Sequence, residues 1–193
     1  MSACSDDDPK LWQAFQQGDS AALGILAERY YRSLRKYGLK FIQEVAVVED
    51  CIQDVFLELG QDPYKLNVNG SLKYYLMKAL RNNIFLHLRY RQRFQNPSPD
   101  WELSLPDDFN AEALLIEKER ISDISAQLDL VLESLPKRER EALYLRYYEN
   151  LSVAEIAGIM DVNRQSVSNF LQKALSKIRA KWVTAMMLIL NLF

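Results

Sequence analysis

Leu135–Arg179 reads LPKREREALYLRYYENLSVAEIAGIMDVNRQSVSNFLQKALSKIR, the pattern of a helix-turn-helix with a supporting helix ahead of it. Ser152 suits an N-cap and Glu155 stands three residues on, the spacing of a capping box. Val153, Ile156 and Ala157 recur at helical spacing and form the inward face. Asp161, Val162 and Asn163 supply the turn, with Asn163 placed to cap the next helix. In that helix Val167, Leu171, Ala174, Leu175 and Ile178 make one apolar stripe. The opposite face carries Gln165, Ser168, Asn169, Gln172 and Arg179, with Arg164 at its edge. Amides, hydroxyls and cations on such a face can reach base edges and phosphates in a major groove, so the stretch points to duplex DNA as a partner.

Around this stretch the composition is that of an all-α protein. The chain has 193 residues, half of them apolar, with only six glycines and six prolines, and no alternating Val/Ile/Thr-rich run suggests a strand. Of the two cysteines, Cys4 lies in a polar N-terminal stretch and Cys51 inside a predicted helix. A disulfide framework is not expected, and a reducing, cytoplasmic setting fits. The N-terminus is acidic rather than basic and apolar, unlike a signal peptide. No Ser/His or Cys/His pair, metal-ligand cluster or phosphate-binding glycine loop is visible, so no catalytic residue, metal or cofactor is expected.

The net charge of −2 conceals an alternation. Residues 1–62 carry 6 basic and 11 acidic groups, 63–95 carry 7 basic and none acidic, 96–135 carry 2 and 10, and 136–182 carry 9 and 5. A basic block without a carboxylate is an electrostatic footprint for phosphates. Taken alone a basic run is more often a solvated helix face; the second DNA-like module reverses that weighting toward nucleic acid.

Two small helical domains are expected, joined by an acidic, proline-containing linker, the second domain ending in the helix-turn-helix. Residues 1–9 read as a loose tail and 10–95 as the first domain. Its helices fall near Leu11–Gln17, Ala21–Tyr37, Val45–Leu59 and Ser71–Arg93, with Gly18-Asp19 breaking the first from the second. Residues 96–110 are polar and proline-bearing, a linker; 111–182 form the second domain. The last stretch, 183–193, is VTAMMLILNLF, too short to cross a bilayer, which needs about 20 apolar residues. It either prolongs the last helix, folds back on its domain or offers a docking surface; stable membrane insertion is not expected.

The first domain holds two further constellations. In Val48–Leu57, Asp50, Gln53 and Asp54 share a helix face by spacing, while Ile52, Val55, Phe56 and Leu59 can supply the buried side. Tyr74–Asn83 and Leu88–Arg93 mix tyrosines with cations, suited to stacking unpaired bases and tracking a single-stranded backbone. Arg81 and Asn82 could reach base edges or phosphates, whereas Tyr75, Leu76 and Leu80 suit the core.

With these blocks in order (ED-x-x-QDVF, YL-x-x-x-x-RN followed by LR-x-R, and LP-x-RE-R with LSVAEIA), the chain from Leu11 to Trp182 resembles the extracytoplasmic-function (ECF) sigma factors of the sigma-70 family. The resemblance implies a non-catalytic specificity subunit that binds core RNA polymerase, recognises minus-35 and minus-10 promoter elements, promotes melting and is held in check by an anti-sigma factor. It assigns core polymerase docking to Asp50, Gln53, Asp54 and Phe56. Minus-10 DNA falls to Asn67, Asn69, Lys73, Tyr74, Arg81, Asn82, Arg89 and Arg91. Minus-35 DNA falls to Arg164, Gln165, Ser168, Asn169, Gln172, Lys173 and Lys177. The chain departs from the family's pattern in having Tyr75 for a common Trp, His87 for a common Asp, and Phe170 where a cation is usual. A stand-alone helix-turn-helix regulator, with a sensing or dimerising first domain, is the other reading of the same residues.

Overall fold

The computed structural model describes residues 7–62, 71–95 and 131–190, and side chains within 7–62, 71–91 and 131–180. The chain divides into two units, 1–106 and 107–193, and the described residues are helical with no strand. The expected linker, 96–110, lies outside the described residues, as does the beginning of the second domain.

In the first unit, helix α1 spans Asp8–Gln16, α2 Ser20–Gly38, α3 Val45–Gln61 and α4 Leu72–Gln95. Helix α1 starts three residues before the expected Leu11, shortening the loose tail expected over 1–9. Pro9 stands in its first turn, where a missing N–H costs nothing. Asp8 is buried, and its carboxylate accepts from the Tyr30 hydroxyl and the Arg29 guanidinium of α2. Trp12 and Phe15 add the apolar part of that contact, their ring centroids 5.4 Å apart. Gly18, at φ +102°, makes the turn, and the Asp19 carboxylate caps α2 by accepting from the Ala21 N–H at 3.0 Å.

Helices α2, α3 and α4 each pack on the other two. Ala22, Leu26, Tyr30, Leu34 and Tyr37 form the stripe from α2, and Val48, Cys51, Ile52, Val55 and Leu59 that from α3. From α4, Leu76, Met77, Leu80 and Ile84 are all fully buried. Such side chains contribute about 1.5–3 kcal/mol each when fully buried. Phe41 meets Tyr37 and Phe85 edge-on at 5.1 and 5.4 Å, closing the end of the bundle.

In the second unit, α5 spans Lys137–Leu143, α6 Val153–Met160 and α7 Arg164–Leu190. The Arg140 guanidinium clasps the chain ahead of α5, donating from one Nη2 to the carbonyls of Glu133 and Leu135, each at 2.9 Å. Both α5 and α6 pack on α7. The supporting helix does not end as a plain α-helix: Tyr144–Tyr148 form a π-helical turn. Glu141 through Leu145 are five consecutive buried residues, more than one 3.6-residue turn, so this segment is enclosed on every side. The wider turn also brings the Tyr144 hydroxyl to the buried Glu149 carboxylate at 2.9 Å.

The helix-turn-helix forms as its caps predict. Ser152 and Glu155 make the reciprocal capping box, Asp161 takes a left-handed φ of 54°, and Asn163 Oδ1 accepts from the Ser166 N–H at 2.7 Å. Helix α7 then continues to Leu190, so the backbone of residues 183–190 of the apolar tail prolongs the last helix.

Candidate nucleic-acid interface

Three exposed surfaces hold the residues singled out by sequence. The first is α3. Asp50, Gln53 and Asp54 are exposed and Phe56 is half-buried, and together they border two recesses, one on either side of the helix. Asp50 and Asp54 open onto a cleft of about 470 Å³ against α4, with Cys51, Glu58, His87 and Tyr90 around it. Gln53 and Phe56 open onto an apolar groove of about 660 Å³ against α2, with Leu23, Tyr31 and Leu57. The ridge between the flanks carries Leu57, 63% exposed. Sequence reasoning missed Leu57; its signal was an apolar residue lying off the Val48-Ile52-Val55-Leu59 stripe. Tyr31 borders the groove and donates to Glu49 at 2.7 Å; that carboxylate holds the phenol above its ordinary pKa.

In the cleft, burial first, then the Asp54 and Asp50 charges, push the Cys51 thiol up to about 11. The native thiol is therefore neutral near physiological pH, and its alkylation at about pH 8 is expected to be much slower than in the unfolded chain, as peptide mass spectrometry would register. The unfolded thiol titrates near 9.0 and the folded one near 11, so the unfolded state loses its proton first. The thiol's contribution to stability is intact below pH 9.0 and declines as pH rises toward 11. Rapid native labelling at about pH 8 would contradict this placement.

The second surface is α4. Lys73 is buried and Tyr74 half-buried, with the Lys78 ammonium 3.3 Å from the Tyr74 hydroxyl. Arg81 is 9% exposed, its guanidinium 4.2 Å from the centre of the Phe85 ring. Asn82, Arg89 and Arg91 are exposed, and Arg91 pairs with Glu44 at the start of α3. Leu86 and Tyr90 stand 65% and 63% exposed beside the arginines, so the outward mixture of apolar, aromatic and cationic groups sits in the second half of the helix. Tyr90, flanked by Arg89 and Arg91, lies in the Leu88–Arg93 stretch read as suited to stacking, though the resemblance did not assign it to the minus-10 set. Tyr75 is half-buried, Leu76 and Leu80 are core, and His87 is exposed. Asn67 and Asn69 lie outside the described residues.

The third surface is α7. Arg164, Gln165, Ser168, Asn169, Gln172 and Lys173 are exposed, while Val167, Leu171 and Ala174 are buried. Phe170 is half-buried at the edge of the apolar stripe. Lys177 is bound to the buried Glu139 of α5 at 2.9 Å, so its charge serves the packing of α5 on α7. The face thus presents the exposed cations Arg164, Lys173 and Arg179 together with a row of amides and hydroxyls.

Comparison with known proteins matches a stretch of each unit to a family model. Residues 26–94 match Sigma-70 region 2, and residues 125–178 match Sigma-70, region 4. The chain belongs to the sigma-70 family. It is an ECF-type RNA polymerase sigma factor, a non-catalytic subunit whose family binds core polymerase and promoter DNA. This sigma factor is 25% identical over 160 residues to the ECF RNA polymerase sigma-E factor of Escherichia coli K12, covering 80% of its own length and 83% of the relative's. Its fold is similar to that of CnrH, solved in complex with the cytosolic domain of CnrY, at a TM-score of 0.58 and 19% identity over 93% of this chain and 99% of that one. It is also similar to the sigma factor RpoE from Bartonella quintana, solved with the anti-sigma factor NepR, at a TM-score of 0.53 and 19% identity over 78% and 90% of the two chains. Among the described residues no helix is long and apolar enough to cross a membrane.

Proposed function

We propose a division of labour within this sigma factor. The two flanks of α3 dock on core RNA polymerase, with Asp50 and Asp54 on one side and Gln53, Phe56 and Leu57 on the other. The exposed half of α4, with Asn82, Arg89, Tyr90 and Arg91, meets the unpaired minus-10 strand, supported by Lys73, Tyr74 and Arg81 from within; Asn67 and Asn69 complete the set. The face of α7 from Arg164 to Lys173 reads the minus-35 duplex. The observation that carries the docking assignment is Leu57, 63% exposed beside the Phe56 groove and the acidic cleft. A large apolar side chain rimmed by charge fits the centre of a protein interface.

Because Leu57 is exposed, its loss leaves the fold intact. Leu57→Ala and Asp54→Ala are expected to weaken core polymerase binding by about 1–2 kcal/mol or more each, with unchanged melting temperature. Titration of labelled sigma factor with core polymerase measures this, and unchanged affinity in both variants would remove α3 from the interface. Control by an anti-sigma factor in the cytoplasm is part of the same reading. It is supported by the complex in which the Bartonella quintana relative was solved and by the apolar 183–193 segment as a candidate contact.

A further inference from the structure

On α7, Gln165 and Asn169 lie one turn apart, both exposed, and the Gln165 amide N–H donates to Asn169 Oδ1 at 3.2 Å. A carboxamide carries two oxygen lone pairs and two N–H hydrogens. The bond restrains the Asn169 amide and uses one lone pair. Asn169 retains the second lone pair on Oδ1 and both Nδ2 hydrogens, an acceptor and a donor side by side. If the pair turned over, with Asn169 donating to Gln165, the Asn169 amide would still present one N–H and its carbonyl oxygen. The neighbouring Ser168 hydroxyl gives its hydrogen to the Arg164 carbonyl at 3.1 Å, so it brings no competing donor. Arg164 and Lys173 flank the pair and suit phosphates on either side.

We propose that Asn169 reads one adenine of the minus-35 duplex, accepting from its N6 amino group and donating to N7, with Gln165 as the positioning residue; this rests on α7 being the duplex reader. In the major groove adenine offers a donor beside an acceptor, which an amide complements in two bonds. Guanine offers N7 and O6, both acceptors, so an amide donating to N7 sets its own oxygen against O6. Cytosine and thymine each satisfy only half of the amide. The pairing gives Asn169 its orientation before DNA arrives, which lowers the ordering cost of the contact.

The test is a run-off transcription selection with core polymerase and the full-length sigma factor on a promoter library randomised across the minus-35 region. One position is expected to prefer adenine over guanine by about tenfold or more. Asn169→Ala abolishes that preference and leaves the other positions alone. Gln165→Ala weakens it at the same position, an effect on base choice that a purely structural residue would not produce. Asn169→Arg moves the preference to guanine, as a guanidinium complements O6 and N7. If the library selects an upstream element whose preferences survive Asn169→Ala, or if the position altered is not an adenine, the proposal falls while α7 remains the reader. If no upstream element is selected at all, the duplex-reading role of α7 falls and the proposal with it.

Discussion

Ile156→Ala lowers the stability of the second unit by about 2–5 kcal/mol, the range for emptying a large aliphatic site in a packed core. Ile156 is fully buried in α6, an eight-residue helix that buries Ile156, Ala157, Ile159 and Met160. A helix this short has no standing stability in water, so its packing against α7 and the π-helical turn is what holds it. The capping box contributes too, but a cap is worth only about 1 kcal/mol. Set against the few kcal/mol by which small domains are stable, loss of this one side chain can unfold the helix-turn-helix. Ile156→Val, which removes a single methylene, is expected to cost about 0.5–1.5 kcal/mol. Urea unfolding of both variants, with hydrogen exchange over residues 164–180, separates the two; a full-sized native midpoint for Ile156→Ala would contradict the packing described. With polymerase present, Ile156→Ala is expected to lose minus-35 dependence, because the face of α7 proposed to read the duplex is held by this contact.

Gly38→Ala is the second large effect, and it acts on the first unit. A Cβ at Gly38 would lie 2.5 Å from Cγ1 of Val48 and 3.4 Å from Cδ1 of Ile84. Gly38 ends α2 at the place where α2, α3 and α4 approach most tightly, and both neighbours are fully buried. Overpacking of this kind costs about 1–3 kcal/mol, offset by up to about 1 kcal/mol of helix propensity gained over glycine. The cause can be isolated by a double-mutant cycle: Val48→Ala removes the clashing methyls, and Gly38→Ala is expected to become neutral or stabilising in that background. Additive losses would show that the close approach is not the source. Val48 lies on the buried side of α3, whose exposed side carries Asp54 and Leu57.

The elements legible in the sequence are those specified by neighbours along the chain. The Ser152–Glu155 box and Asn163 cap the helices they were expected to cap, because a cap needs only its own side chain and the next three backbone N–H groups. The apolar stripes of α2, α3 and α7 follow from helical period alone. What was not legible depends on partners far apart in sequence. Nothing in the run Tyr144–Tyr148 announces a π-helical turn. The start of α1 was missed because Asp8 is anchored by Arg29 and Tyr30, more than twenty residues away.

The functional residues divide the same way. Sequence alone determined the amphipathic helices α3, α4 and α7 and, with their motifs, a helical sigma-type chain: local periodicity dictates a helix face. The tertiary structure decided how those residues are used. Packing of α3 between α2 and α4 splits Asp50 and Asp54 from Gln53 and Phe56. Packing of α5 on α7 turns Lys177 toward Glu139, and burial draws Arg81 onto Phe85 while leaving Tyr90 outside. The physical reason is the reach of each interaction: a helical period is set by bonds four residues apart, whereas the surroundings of a charge or an amide are set by whichever helix the core brings against it.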